Sequence, residues 1–355
     1  MVAGHGRLRA AQQLGLASVP CIRLGWLSEA QRKAYLIADN QLALNGNWDE
    51  ALLALELKDL QDVAFDLPLL GFSDQELQGL LQRFEQPLAG LTDPDTLPPE
   101  PEDIYVQPGD LYQMGAHRLL CGDATNPAHV ARLLGAARPP LMVTDPPYGV
   151  SYDPAWRVPL AGNGKVATGK VTNDDRRDWR EAYRLFPGDV AYVWHAGIYA
   201  GEVAAHLREC GFEVRSQIIW KKQHFALSRG HYHWGHEPCW YVVRQGATAH
   251  WRGDRKQTTV WEVANASPFG GAAQQAEQTG HGTQKPVAVI TPALLNHLKE
   301  GEAVYDPFSG SGTTIIAAER LGRCCYGMEV EPTYVQVAIT RWEEHTGRKA
   351  VKVNG

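Results

Sequence analysis

Ala303-Val304-Tyr305-Asp306-Pro307-Phe308-Ser309-Gly310-Ser311-Gly312-Thr313-Thr314 is the stretch on which the reading of this chain turns. Its apolar start predicts a strand, its glycines a tight turn, and its threonines the first turn of a helix. Gly310 and Gly312 let the backbone turn sharply and let a bulky ligand approach it. Unpaired N–H groups at the start of the following helix can hold an acidic or polar ligand group. About twenty residues later Tyr326-Gly327-Met328-Glu329 closes the next strand, where an acid can accept two ribose hydroxyls. The third glycine of the dinucleotide-binding fingerprint is absent, so that pattern is excluded. On its own the turn also fits an ordinary strand–helix junction.

Outward from this stretch, short apolar runs alternate with helical ones. Strands are predicted at His117–Gly122, Leu141–Thr144, Val190–Trp194, Gln217–Trp220, Cys239–Val243, Ala303–Tyr305 and Cys324–Gly327. Helices are predicted at Ala128–Leu134, Gly197–Cys210, Pro286–Leu298, Thr313–Leu321 and Pro332–Thr346. Such alternation implies an α/β fold with a mostly parallel sheet and ligands at the carboxyl ends of its strands.

One of those strand ends carries Asp145-Pro146-Pro147-Tyr148. The prolines fix φ and restrict the residues before them, so the loop is stiff and its carbonyls can be aimed. The segment pairs a carboxylate (Asp145) and a backbone carbonyl (Pro146) with a flat ring (Tyr148) on which a base could stack. A rigid turn leaving a strand is the plain alternative.

Together these motifs make the chain, from about Val106 onward, resemble the amino-methylating DNA methyltransferases that carry an Asp-Pro-Pro-Tyr motif. The catalytic motif comes before the glycine-rich one, an order similar to the beta group, whose sheet is circularly permuted. The resemblance implies a Rossmann-like fold and S-adenosylmethionine as cofactor, held by Asp306, Phe308, Gly310, Gly312, Thr313 and Glu329. Thr283-Gln284-Lys285-Pro286 resembles the family's Thr-x-Lys-Pro segment near the methionine end of the cofactor, which makes Thr283, Lys285 and Pro286 candidates. Leu119-Leu120-Cys121-Gly122-Asp123 resembles the segment that approaches its adenine, which adds Asp123.

Methyl transfer to an exocyclic amine needs no metal, because a sulfonium methyl is already electrophilic. The obstacle is a nitrogen lone pair delocalised into the ring. Two acceptors on the amine hydrogens, Asp145 and the Pro146 carbonyl, would favour a pyramidal nitrogen and act mainly in the transition state. A base within a duplex must be flipped out to reach them. Asp145, where Ser is frequent in cytosine-N4 enzymes and Asn in enzymes acting on glutamine or RNA, points to adenine-N6. The cytosine-N4 reading stays open, as does a ParB-like binding protein with an inactive methyltransferase domain.

Net charge is −6, which alone does not suggest a DNA binder. Ser28 to Asp110 holds 17 acidic against 4 basic residues, whereas Ser151 to Val260 holds 16 basic against 11 acidic and seven histidines. Duplex DNA is therefore expected along the later segment, about 150–280. Lys221 and Lys222 could meet phosphate. Lys165 and Lys170 lie in a glycine-bearing loop, Ser151 to Asp175, expected to order over DNA. Tyr232-His233-Trp234-Gly235-His236-Glu237-Pro238 resembles a stretch of phage and prophage members and supplies His233 and His236. Satisfying buried backbone is the other reading for His233 and Glu237.

Three segments are expected: an α-rich unit over 1–85, a linker over 86–103, and a methyltransferase domain over 104–355. The linker has five prolines and five acidic residues and cannot build a core. In the first unit Arg7–Leu14 predicts a helix, Val19–Leu24 a strand, and Glu29–Leu44, Trp48–Leu60 and Ser73–Phe84 helices, with Ser28 and Ser73 as N-caps. Gly4-His5-Gly6-Arg7-Leu8-Arg9-Ala10-Ala11 with Leu14-Gly15 and Val19-Pro20 resembles the nucleotide-binding segment of the ParB/sulfiredoxin-like domain, lacking the strands that normally precede it. That resemblance implies a nucleotide as a further partner, through Arg7. Six scattered cysteines without a CxxC pair, and an N-terminus unlike a signal peptide, suggest reduced thiols in the cytoplasm. Relatives in the beta group are often homodimers.

Overall fold

The computed structural model describes residues 14–16, 18–21, 25–41, a set of positions between 53 and 77, 90–150, 173–226, 231–253, 255–263 and 284–353. The chain divides into two compact units, Met1–Pro87 and Leu88–Gly355.

In the first unit helix α1 spans Glu29–Gln41. Ser28 opens it with a capping box. The Gln31 N–H donates to Ser28 Oγ at 3.2 Å, and Gln31 Oε1 accepts from the Ser28 N–H at 2.9 Å. Ser73 and Glu76 repeat the device. Leu53, Leu57 and Leu60 are helical and buried, spaced as one face of a helix requires. They share a small apolar core with Ala34, Leu67, Leu70, Phe72 and Leu77. The strand expected at Val19–Leu24 is not found over 19–21, which carry no regular structure. Pro20 removes a ladder donor there. The nucleotide-binding resemblance over Gly4–Ala11 lies outside the described residues.

The second unit is built on a sheet of ten strands: β1 Leu111–Met114, β2 His117–Cys121, β3 Leu141–Thr144, β4 Val190–Trp194, β5 Phe212–Ala226, β6 Trp234–Arg244, β7 Val260–Glu262, β8 Ala303–Asp306, β9 Cys324–Glu329 and β10 Val351–Val353. Their order is β10-β1-β2-β9-β8-β3-β4-β6-β5-β7. The central five, β2-β9-β8-β3-β4, are parallel. β3 and β4 are buried throughout, so their apolar runs are unbroken rather than alternating. Their side chains nevertheless divide between two cores. Leu141, Val143, Val190, Tyr192 and Trp194 face one; Met142, Ala191 and Val193 face the other.

Helices cover both faces. The first core takes α5 (Val287–His297), α6 (Thr313–Arg320) and α7 (Pro332–Thr346). The second takes α2 (Pro127–Leu134), α3 (Arg180–Leu185) and α4 (Ala200–Glu209). The outer strands β1, β10 and β6 run antiparallel to their neighbours, β5 is antiparallel to β6, and the edge strand β7 is parallel to β5. The expected parallel sheet is therefore the centre of a larger mixed one.

Residues 90–103 have no helix or strand, as their prolines dictate, but they are fastened to this unit. Leu97 is buried, the Leu91 N–H donates to the His345 carbonyl, and Arg341 donates to the Pro94 carbonyl at 2.6 Å. From residue 90, the expected extended linker lies as a strap on the second unit.

Candidate active site

β8 and β3 lie side by side and parallel, and the chain leaves them in opposite directions, toward β9 and β4. Such a switch point opens a crevice at the carboxyl ends of the strands. Both motifs sit there. Thr144, the last residue of β3, donates through Oγ1 to Asp306 Oδ1 at 3.1 Å, joining the two strand ends directly. The Thr314 hydroxyl and the Phe308 N–H also donate to Asp306, at 2.6 and 3.2 Å. Burial with only neutral donors pushes the Asp306 carboxyl up to about 7, although those bonds oppose the shift.

The glycine turn follows. Gly310 and Gly312 adopt φ of +50° and +81°, where other residues are strained. A Cβ on Gly312 would lie 2.9 Å from the Cβ of Ala338 on α7. Gly312 therefore also permits close packing of α6 on α7. The Gly310 N–H donates to Glu329 Oε2 at 2.9 Å, and the Glu331 N–H to Oε1 at 2.9 Å. The Gly122 N–H reaches the Glu329 carbonyl at 2.8 Å, which sets Asp123 beside the end of β9. Asp123 itself closes a turn by accepting from Thr125. Ser309 Oγ is buried at the turn with no hydrogen-bond partner among the described residues. An orphaned hydroxyl, a glycine whose Cβ direction is open (Gly310) and a buried acid at the next strand end fit a ligand with polar and ribose groups.

The catalytic segment leaves β3 into a charged cluster. The Lys285 ammonium donates to Asp145 Oδ2 at 2.6 Å and to the Tyr148 hydroxyl at 3.1 Å, and pairs with Glu237 Oε2 at 2.9 Å. Those three contacts use all three of its N–H groups. The Tyr148 hydroxyl donates to Asp145 Oδ1 at 2.7 Å. Lys222 pairs with Glu237 Oε1. The cluster balances two carboxylates against two ammonium groups. Burial raises the Asp145 carboxyl above its ordinary range, against the pull of Lys285. At Glu237 burial is outweighed by Lys285 and Lys222, which hold it down at about 2. Burial would lower the Lys285 ammonium, but Asp145 and Glu237 outweigh it and keep the group charged.

Lys285, expected near the methionine end of the cofactor, donates to the Asp145 carboxylate, and Pro286 is the N-cap of α5 behind it. Lys222, expected on phosphate, is half-buried and committed to Glu237. Lys221 is exposed and pairs with Glu262 at 2.8 Å. The two alternate across β5, so one faces inward and one outward. His233 is exposed, and the half-buried His236 meets the Trp234 ring edge-on. Thr283, Lys165 and Lys170 lie outside the described residues. Thr313 accepts from the buried Arg341 at 3.2 Å.

Two further residues belong to the site. Trp179, buried, donates from Nε1 to the Pro147 carbonyl at 2.9 Å and meets the Phe308 ring edge-on at 4.7 Å. It touches the Asp-Pro-Pro-Tyr segment and the Phe308 side of the glycine turn at once. No local pattern marks Trp179 in the sequence. Asp95 of the strap accepts from the Val287 N–H at 2.8 Å, at the start of α5.

Fold and site together describe a Rossmann-like methyltransferase whose catalytic strand precedes its glycine-turn strand along the chain. Residues 140–340, more than half of the chain, match the family described as DNA methylase, with N6- and N4-methylating members, and the chain belongs to that family. Its methyl donor is S-adenosylmethionine. Residues 51–108 match a ParB-methyltransferase HTH domain. Among relatives, the type II methyltransferase M2.LlaDCHI of Lactococcus lactis subsp. cremoris is 27% identical over 227 residues, covering 57% of this chain and 81% of that protein. The type II methyltransferase M.Cfr9I of Citrobacter freundii is 31% identical over 156 residues, covering 39% and 47%. A solved structure, the M1.HpyAVI–SAM complex, is 24% identical with a TM-score of 0.46, covering 63% of this chain and 98% of that one. Among the described residues no helix is long and apolar enough to cross a membrane.

Proposed function

We propose that this DNA methyltransferase acts on the N6 amine of a flipped-out adenine. The observation that carries the reading is the contact between Thr144 and Asp306, which sets a carboxylate, Asp145, one residue from the join between the catalytic strand and the cofactor turn.

The division of labour follows from the two strand ends. The Ser309–Gly312 turn, Glu329 and Asp123 would hold S-adenosylmethionine, which when bound supplies an electrophilic methyl group. Asp145 and the Pro146 carbonyl accept the two amine hydrogens and release the nitrogen lone pair from the ring. Lys285 keeps Asp145 ionised and oriented, because an acceptor must carry its charge before the transition state forms. Tyr148 would offer a stacking face to the base.

The test is transfer of labelled methyl from S-adenosylmethionine to unmethylated duplex DNA of mixed sequence, followed by digestion to nucleosides. The expected product is N6-methyladenine, absent with Asp145→Ala. N4-methylcytosine in the digest would overturn the assignment of the base. DNA affinity should fall steeply with salt if the basic 151–260 segment forms the contact surface; a flat response would count against that surface.

A further inference from the structure

Both oxygens of the catalytic carboxylate are engaged before any base arrives. Oδ2 accepts from Lys285 and Oδ1 accepts from the Tyr148 hydroxyl at 2.7 Å. An incoming amine needs one of them. Lys285 has no alternative direction, since its three N–H groups already point at Asp145, Tyr148 and Glu237. The Tyr148 hydroxyl does have one. Glu237 Oε2 stands 3.5 Å away, and the ion pairs with Lys285 and Lys222 hold that carboxylate in place.

We infer that Glu237 is a positioning residue that takes over the Tyr148 hydroxyl hydrogen bond when the target amine engages Asp145 Oδ1. The inference rests on the reading of Asp145 as the amine acceptor. The change is a rotation of one O–H, with no bond made or broken and no charge moved. Its consequence is chemical. Each hydrogen bond donated to a carboxylate spreads its charge and weakens it as an acceptor. Moving the tyrosine's hydrogen bond to Glu237 leaves Asp145 Oδ1 to the amine alone while positive charge develops on nitrogen. A carboxylate oxygen can accept two hydrogen bonds, so a shared Oδ1 is the competing arrangement, and it needs no Glu237.

The two arrangements differ in a double-mutant cycle on the full chain, with kcat read on unmethylated mixed-sequence duplex DNA and cofactor affinity read by calorimetry with S-adenosylmethionine. Glu237→Ala, which removes the second acceptor, should lower kcat roughly tenfold or more, the size of one hydrogen bond to a charged group, with cofactor affinity changed less than about twofold. In the Tyr148→Phe background, where no hydroxyl needs a second acceptor, the same substitution should cost less than about threefold. An equal cost in both backgrounds overturns the inference, because Glu237 would then act through Lys285 alone. Glu237→Asp keeps the charge while withdrawing the acceptor. It should reproduce the loss in kcat with an unchanged unfolding midpoint, and wild-type kcat in this variant would also overturn the inference. If Asp145→Ala retains activity, the amine-acceptor reading fails instead, whatever Glu237 does.

Discussion

The Trp179 indole N–H donates to the Pro147 carbonyl at 2.9 Å, across 32 positions of sequence. Prolines stiffen the catalytic segment along the chain, but they do not fix how it is tilted against the sheet. Trp179 supplies that restraint, and its ring continues onto Phe308 of the cofactor turn. Trp179→Phe keeps an aromatic face and loses the donor. It should lower kcat about tenfold, as expected for misplaced acceptors, with little change in cofactor affinity by calorimetry. An unchanged kcat would show that the two prolines alone hold the loop.

The glycines of the cofactor turn should separate in a stability measurement. Gly310 has positive φ but open space where a Cβ would stand, whereas Gly312 has positive φ and Ala338 at 2.9 Å. Gly310→Ala should cost about 1–2 kcal/mol of backbone strain. Gly312→Ala adds a collision between two helices and should cost on the order of 3 kcal/mol. Thermal unfolding of both variants checks the order; equal losses would mean that α7 yields easily at Ala338.

The glycine turn, its acid and Asp145 were legible in sequence because each is a local pattern: a strand, then residues whose backbone or charge allows one chemistry. The central strands were legible for the same reason, since burial on both faces leaves an apolar run. β1, β7 and β10 are only three or four residues long and too short to show a period. β5 was seen only at Gln217–Trp220, because polar residues flank that run in the full strand Phe212–Ala226. What the sequence hid was pairing at a distance. Nothing local joins Lys285 to Asp145, 140 positions away, or tells Lys222 from Lys221 until β5 has a face. The docking of the strap is hidden for a related reason: prolines exclude helix and ladder, but they do not prevent a chain from docking through its carbonyls.

That strap should matter to the cofactor. α5 begins at Pro286, which has no side-chain acceptor for the helix's first N–H groups, and Asp95 supplies one to Val287. Next to it, Arg341 bridges the Pro94 carbonyl to the Ser311 carbonyl and the Thr313 hydroxyl of the glycine turn. Asp95→Ala should therefore cost about 1 kcal/mol, as for other lost helix caps, and weaken S-adenosylmethionine binding severalfold by calorimetry. Asp95→Asn retains the acceptor oxygen and should restore most of both. If alanine leaves affinity at the wild-type value, the strap stabilises the unit without shaping the site.

Asp306 should give the protein a stability that falls as pH rises through neutrality. Its folded carboxyl lies at about 7 against an ordinary 3.8, mainly through burial. Below about pH 4 both folded and unfolded chains hold the proton, and the contribution is fully present. Between the two values the folded chain keeps a proton that the unfolded chain releases, so stability is lost until pH passes the folded value. From pH 5 to 8 the loss is roughly 2–3 kcal/mol, at 1.36 kcal/mol per unit. Glu237 is held down at about 2 by Lys285 and Lys222, so its opposite effect lies at lower pH. Asp306→Asn keeps an acceptor for Thr144 and Thr314 and removes the titration. Its urea unfolding free energy should gain on the wild type across this window in the free protein. Parallel curves for the two proteins would mean that Asp306 is ionised in the fold and that its three donors offset the cost of burial.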